Sequence, residues 1–178
     1  MEREDYFSLF GLPRSHGIDP ARLEAAYEKL SFECHPDFLA HAPAEEKLRA
    51  QHLSARINQG YRVLNSEPAR AAYLLGLLAS GRKLDTQALP PNFLQQMFEL
   101  QEEADEVDGA EETPASAALR AKLSAQLAER MEDIHATRAR LFTELGAAPT
   151  LDALNAIQAN LNSERYLQRL RERLGQPE

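Results

Sequence analysis

The stretch CHPDF, Cys34 to Phe38, holds the side chains in this sequence that are best suited to chemistry. His35 and Asp37 supply an imidazole and a carboxylate, which are common general acid–base groups and metal ligands. Either role needs a third and usually a fourth group that converges on the same point. The other histidines show no ligand spacing, such as i, i+4 on one helix, near this stretch: His16, His41, His52 and His135. An enzymatic or metal site at this bend therefore has little support beyond these two side chains.

Composition and charge exclude several other classes of protein. The single cysteine, Cys34, excludes an internal disulfide and a zinc site of the paired-cysteine type. The 20 Lys and Arg residues form no cluster and are outnumbered by 28 Asp and Glu, so nucleic acid is not an expected partner. No apolar run approaches the roughly 18 to 20 residues that span a bilayer, and the start MEREDYFSL has no targeting pattern. We expect no membrane association and a cytoplasmic location.

Two amphipathic helices should hold the bend between them. The first begins with Asp19 as N-cap and Pro20 at the first helical position. Its apolar face, at spacings of four, three and four, comprises Leu23, Tyr27, Leu30 and Cys34. The second begins near Pro43 and carries Leu53, Ile57, Tyr61 and Leu64. Because Pro36 forces a stop between them, we expect an antiparallel hairpin with the bend at its exposed end. Cys34 then fills the hairpin core rather than acting as a metal ligand.

The remaining segments also read as helical, which predicts an all-α protein. A short helix at Tyr6–Phe10 precedes the hairpin, and another runs from Pro68 to about Leu78, where Gly81 stops it. Three further helices are predicted at about 91–108, 115–145 and 150–174, an arrangement that suits an antiparallel bundle. The last helix carries apolar residues on two nearly opposite faces, so it either breaks near Asn162 or is buried on two sides. Gly60 lies inside the second hairpin helix, where Ala is favoured, and the sequence offers no reason for it.

The helix at about 91–108 carries a candidate binding patch. Its core stripe, at spacings of four, three, four and three, comprises Phe93, Met97, Leu100, Ala104 and Val107. At 100° per residue, Leu94 and Phe98 fall about 100° and 140° from that stripe. Glu102 and Glu106 follow Phe98 at the same four-residue spacing, on the outer side of the helix. Exposed Leu and Phe beside carboxylates are typical of a protein-binding patch. The alternative is that both side chains are buried against another part of the molecule.

The hairpin resembles a J domain, the module that stimulates the ATPase of DnaK-type chaperones. AYEKLSFECHPD, Ala26 to Asp37, is similar to helix II and its loop, INQGYRVL to helix III, and DYFSLFGLP to helix I. The resemblance implies that His35, Pro36 and Asp37 contact the chaperone ATPase. Only Arg22 and Lys29 remain of the usual basic face of helix II, which indicates weak steering or a dedicated partner. On this interpretation the bend is a contact and not a catalytic site.

The whole chain resembles the bacterial form of the HscB family, J-domain co-chaperones of iron–sulfur cluster assembly. The resemblance is carried by EPARAAYLLGLL, FLQQMFELQEEADE and ERYLQRL, in that order after the J-domain motifs. It implies a J domain at 1–79, a linker at 80–90 and a three-helix bundle at 91–178, arranged as an L. The implied partners are an HscA- or DnaK-type ATPase chaperone and an IscU-type cluster scaffold protein. The residues implied to bind the scaffold are Leu94, Gln95, Phe98, Glu99, Glu102, Glu106 and Tyr166.

The expected role is that of a non-catalytic adaptor with no cofactor, because any metal would belong to the scaffold. Three alternatives remain open from the sequence. A J-domain adaptor for an unrelated client would still use the bend to contact a chaperone, but it would not bind an iron–sulfur scaffold. An enzyme would use His35 and Asp37 as a hydrolytic or metal site. A purely structural helical protein leaves the HPD motif unexplained.

Overall fold

The computed structural model describes residues 5–34, 43–108, 111 and 113–175, and these residues form helices and no strands. The helices are α1 Tyr6–Leu9, α2 Pro20–Glu33, α3 Ala44–Asn65, α4 Glu67–Ala79, α5 Phe93–Asp108, α6 Pro114–Glu144 and α7 Leu151–Arg173. The prediction of an all-α protein is confirmed. The chain divides into two compact units, Met1–Leu77 and Leu78–Glu178. Within the described ranges, no helix is long and apolar enough to cross a membrane.

In the first unit, α2 and α3 form the predicted antiparallel hairpin. The Asp19 side chain caps α2 by accepting from the Ala21 amide, and α2 ends at Glu33. Further along, the Tyr27 hydroxyl donates to Asn58 Oδ1 at 2.9 Å, and the Tyr61 hydroxyl donates to Glu24 Oε2 at 2.5 Å. Residue numbers that rise in α2 and fall in α3 across these contacts establish the antiparallel direction.

The hairpin core is smaller than the periodicity predicts. Leu23, Ile57 and Leu64 are fully buried, whereas the Tyr27 and Tyr61 rings stack with centroids 4.2 Å apart and stay partly accessible. The prediction is wrong for Leu53, whose side chain is exposed. Leu53 lies one turn closer to the bend than Ile57, beyond the last α3 residue that is buried in that direction.

A close approach of α1 to α3 accounts for Gly60. The Phe7 and Phe10 side chains of the α1 region are buried, and a Cβ placed on Gly60 would lie 2.8 Å from Phe10 Cε2 and 2.9 Å from Tyr6 Cδ1. Carbon atoms in favourable contact are about 3.5–4.0 Å apart, so any side chain at position 60 would push α1 away. The hydrogen that glycine carries in place of Cβ therefore lets α1 pack directly on the α3 backbone.

The second unit is a bundle of α5, α6 and α7. Its buried core consists of Phe93, Met97, Leu100 and Ala104 from α5, Leu123, Leu127 and Met131 from α6, and Leu167 and Leu170 from α7. The predicted α5 stripe therefore faces the core, and Val107, its last member, is also buried. The helix boundaries predicted from sequence differ from the observed ones by one or two residues.

The last helix is unbroken and buried on two sides, which is the second of the two alternatives drawn from its sequence. On one side the Asn162 amide donates to the carbonyl oxygens of Thr86 and Ala88, at 3.0 and 2.9 Å. On another side Asn160 and Glu164 face α6. Polar residues occupy this turn because each has a partner there, and not because the helix ends.

The segment between α4 and α5 packs on the bundle. Ser80 and Gly81 have φ values of 48° and 82°, which end α4 in left-handed geometry, as predicted for Gly81. Arg82 Nη1 then donates to the Pro149 carbonyl at 2.7 Å, and the Asp85 amide donates to Asn155 Oδ1 at 3.0 Å. Leu89 packs against the bundle core. This segment is therefore an ordered part of the second unit.

A buried polar network joins α6 to α7. Arg138, with 0% of its side chain exposed, donates from Nη2 to Glu164 Oε2 at 2.5 Å and from Nε to Asn160 Oδ1 at 2.9 Å. Asn160 in turn donates to the Ile134 carbonyl at 3.0 Å, and His135 Nε2 lies 3.0 Å from the other Glu164 oxygen. Asn160 and Glu164 of α7 therefore each have defined partners on α6.

The Gly60 contact predicts opposite effects for two glycine substitutions within helices. Gly60→Ala should lower the free energy of unfolding by roughly 1–3 kcal/mol, because overpacking against Phe10 and Tyr6 outweighs the helix preference of alanine. The matched control is Gly76→Ala in α4, where a Cβ meets nothing within 4 Å. That variant should gain up to about 1 kcal/mol. Urea unfolding followed by circular dichroism measures both, and equal stabilisation by the two changes would contradict the α1–α3 packing.

Candidate functional site

The motif predicted to contact the chaperone, His35, Pro36 and Asp37, lies outside the described residues. Its helical supports are described: α2 ends at Glu33 and α3 begins at Ala44. Arg22 and Lys29 are both exposed on α2. Seven residues, or about two helical turns, separate them, so they share one face of the helix. That face therefore carries two cations between the N-terminus of α2 and the bend.

Cys34 at the end of α2 is poorly suited to bind a metal cluster. Its thiol is half-buried, and burial together with the neighbouring Glu33 carboxylate raises its pKa above the ordinary value. The thiolate is the form that attacks electrophiles and ligates metals, so a raised pKa leaves less of that form at neutral pH. This environment favours the structural interpretation of Cys34.

The outer face of α5 presents the predicted patch to solvent. Leu94 and Phe98 are 62% and 61% exposed, whereas Phe93 and Met97 beside them are buried. The helical spacing therefore predicted the orientation of both side chains on α5 correctly, and no described helix of the second unit buries them. The four other predicted α5 residues are also exposed: Gln95, Glu99, Glu102 and Glu106. Gln95 Nε2 donates to Glu99 Oε1 at 3.4 Å, one turn along the helix.

Tyr166 joins the α5 patch through a groove between α5 and α7. Its side chain is 41% exposed, and its ring meets Phe93 edge-on, with centroids 5.9 Å apart and planes at 70°. We call this depression, of about 460 Å³, the α5–α7 groove. Its lining residues are Leu94, Met97, Phe98 and Gln101 from α5, and Tyr166, Arg169, Leu170 and Arg173 from α7. Leu94 and Phe98 on α5 and the sequence-distant Tyr166 on α7 therefore lie along one surface.

Three of the groove residues were missed by the sequence analysis: Gln101, Arg169 and Arg173. Each stands three or seven residues after a predicted member, Gln101 after Phe98 and the two arginines after Tyr166. Residues at i+3 and i+7 share a helix face, so the same rule that selected Glu102 could have selected them. Whether they contribute depends on which face of α7 packs against α5. The apolar periodicity of α7 left that face ambiguous.

Contacts at two levels brace the groove walls. The Phe93–Tyr166 ring contact joins the start of α5 to α7, and Arg173 Nη2 donates to Asp105 Oδ1 at 2.5 Å near the end of α5. The residue numbers rise together in both helices, so α5 and α7 run parallel. A groove that is already formed binds a partner with less loss of conformational entropy than one that must assemble.

The chemistry of this surface suits a protein partner. The apolar Leu94 and Phe98 side chains lie beside carboxylates, and α5 contains no lysine or arginine. None of the described residues that line the groove is a histidine, cysteine or serine that could act as a nucleophile or metal ligand. Exposed apolar groups with a charged rim are typical of protein–protein contacts.

Comparison with known proteins identifies the family. No protein-family model matches the chain. The chain is 38% identical over 148 residues to an HscB homologue, a co-chaperone protein of Azoarcus sp. strain BH72, and this match covers 83% of the chain and 81% of the relative. It is 39% identical over 149 residues to the corresponding co-chaperone of Bordetella pertussis, with 82% of the chain and 83% of the relative covered.

Solved structures show the same fold. HscB from Vibrio cholerae matches with a TM-score of 0.75 and 24% identity, covering 97% of this chain and 96% of that one. The human co-chaperone HscB matches with a TM-score of 0.77 and 23% identity, covering 98% of this chain and 82% of that one. The two bacterial relatives cover most of the chain at well over 30% identity, and on that evidence the protein belongs to the HscB family of co-chaperones.

Proposed function

We propose that this co-chaperone is a non-catalytic adaptor of iron–sulfur protein maturation that acts in the cytoplasm. It delivers an IscU-type scaffold protein to an HscA- or DnaK-type chaperone and stimulates the ATPase of that chaperone. The observation that carries the proposal is the exposure of Leu94 and Phe98 beside Tyr166 in a groove that is already formed. Family membership supports the co-chaperone role.

The second unit is the part that holds the scaffold. Burying one Leu or Phe side chain contributes about 1.5–3 kcal/mol, so Leu94 and Phe98 can supply a large share of the binding free energy. Tyr166 adds an aromatic group of the kind that often dominates protein interfaces. Gln95, Glu99, Glu102 and Glu106 form the polar rim, where carboxylates favour a partner with basic groups.

The first unit is the part that acts on the chaperone. His35, Pro36 and Asp37 contact the ATPase, and Arg22 and Lys29 attract it over a longer range. The hairpin that presents them is stiff, because the Tyr27–Tyr61 stack and two interhelical hydrogen bonds join its helices. A rigid support lowers the entropic cost of docking. ATP hydrolysis is chemistry of the chaperone, and any metal cluster belongs to the scaffold.

Removing the two exposed α5 side chains should abolish scaffold binding. Calorimetry with a purified IscU-type scaffold should show that Leu94→Ala/Phe98→Ala weakens binding by at least roughly a hundredfold, because about 3–6 kcal/mol of apolar burial is lost. Helicity and melting should be unchanged, since neither side chain is in the core. Leu151→Ala is the matched control, because Leu151 is also exposed, at 43%, but lies near the start of α7 and outside the groove.

Two results would count against this assignment. Wild-type protein that does not bind the scaffold would remove the iron–sulfur assignment and favour a J-domain adaptor for an unrelated client. A double variant that binds like the wild type would leave the scaffold as partner but place its contact on another face.

Substituting Asp37, the carboxylate at the bend, should separate ATPase stimulation from scaffold binding. Asp37→Asn keeps the size of the side chain and removes its charge, so steady-state ATPase assays with an HscA-type chaperone should show no stimulation. Scaffold binding by the same variant should match the wild type, because the α5–α7 groove belongs to the other unit. Stimulation that survives the substitution would refute the J-domain mechanism.

A further inference from the structure

No contact among the described residues gives Arg169 a structural role. It is exposed on α7, three residues after Tyr166, and lines the groove opposite Leu94 and Phe98. Among the described residues it forms no hydrogen bond or ion pair. Its neighbours on the same helix differ: Arg173 pairs with Asp105, and Arg165 Nη1 lies 3.4 Å from Asn162 Oδ1. Arg169 is therefore an exposed guanidinium at the edge of an apolar groove, with no partner among the described residues.

The two edges of the groove carry opposite charge. Around α5, Gln101 and Leu94 lie about 80° and 100° from the core direction, and Phe98 lies at about 140°. Glu102 and Glu106 follow at about 180° and 220°, so they lie beyond the apolar strip on the side away from α7. Arg169 lies across the groove on α7. The apolar strip therefore separates an acidic edge from a basic one.

We propose that Arg169 binds a carboxylate on the segment of the scaffold protein that occupies the α5–α7 groove. This inference rests on the proposed function. It defines the partner surface as an apolar centre with an acidic group on the α7 side and basic groups on the α5 side. A guanidinium suits this task because its planar donors can bind both oxygens of a carboxylate.

The opposite edges also select the direction in which the segment docks. A segment that docks in the reverse direction places its acidic group over Glu102 and Glu106 and its basic groups over Arg169. Like charges in contact raise the free energy of that complex, while the apolar contacts alone favour neither direction. Arg169 is thus a specificity-determining residue, and Leu94 and Phe98 supply affinity.

Calorimetric titration of the full-length chain with a purified IscU-type scaffold tests the proposal. Arg169→Gln should weaken binding roughly tenfold, the loss expected for a hydrogen bond between charged groups, and Arg169→Glu should weaken it further. Affinity of Arg169→Gln should also depend less on salt than that of the wild type, because one charge pair is absent. Circular dichroism should show unchanged helicity and melting for both variants.

Arg120→Glu is the matched control. Arg120 is an exposed arginine on α6 of the same unit, does not line the groove, and its substitution makes the same change in net charge. It should leave affinity within about twofold of the wild type, since an exposed charge that makes no contact in the groove contributes little. Equal weakening by Arg120→Glu and Arg169→Glu would show a general charge effect and overturn the proposal.

The remaining outcomes distinguish this inference from the proposed function. If Leu94→Ala/Phe98→Ala loses binding while Arg169→Glu retains wild-type affinity, the scaffold assignment stands and the role of Arg169 is wrong. If the wild type does not bind the scaffold, both fall together.

Discussion

The buried ion pair between Arg138 and Glu164 is the constraint on which the bundle surface depends. Both side chains are almost fully excluded from water, with 0% and 3% exposed. Removing ions from water costs several kcal/mol each, and only close pairing offsets that cost. Breaking such a pair typically costs about 3–5 kcal/mol, because one charge stays buried without a partner. Rotation or sliding of α7 against α6 is therefore strongly opposed.

The position of the binding surface follows from that constraint. Tyr166 lies about 200° around α7 from Glu164, so a helix that points Glu164 at α6 must point Tyr166 away from it. Three residues later Arg169 occupies a neighbouring position on the same outer side. The Phe93 ring and the Arg173–Asp105 bridge then attach this side of α7 to α5. Buried polar contacts on one side of α7 thus place the exposed Tyr166 ring and the exposed Arg169 guanidinium on the other.

Local periodicity was enough to predict α5. Its core stripe is one complete face, so the exposure of Leu94 and Phe98 followed from 100° per residue and was confirmed. The α2–α3 hairpin was predictable for the same reason, together with the cap at Asp19 and the stop at the bend. Leu53 shows the limit, because periodicity assigns a face but does not say how far along the helix that face remains covered.

Features that depend on packing between distant segments were beyond the sequence. Gly60 is explained only by the rings of Phe10 and Tyr6, some 50 residues away in the chain. Arg138 and Glu164 are two charges among 48, and nothing in their spacing marks them as buried. Whether α7 breaks near Asn162 or is buried on two sides was ambiguous, because the partners of the Asn162 amide lie on the segment before α5. The roles of His35, Pro36 and Asp37 come from the J-domain motif and remain proposals.

An adaptor must carry both of its surfaces in one molecule, and a mixing experiment tests that claim most directly. The measurement is steady-state ATP hydrolysis by an HscA-type chaperone with an IscU-type scaffold and an equimolar mixture of two defective chains, Asp37→Asn and Leu94→Ala/Phe98→Ala. We expect the mixture to lack the scaffold-dependent part of the stimulation seen with the wild type, because no single chain joins scaffold to chaperone. If the mixture fully recovers the scaffold-dependent stimulation, the two surfaces work independently, and the adaptor role is contradicted.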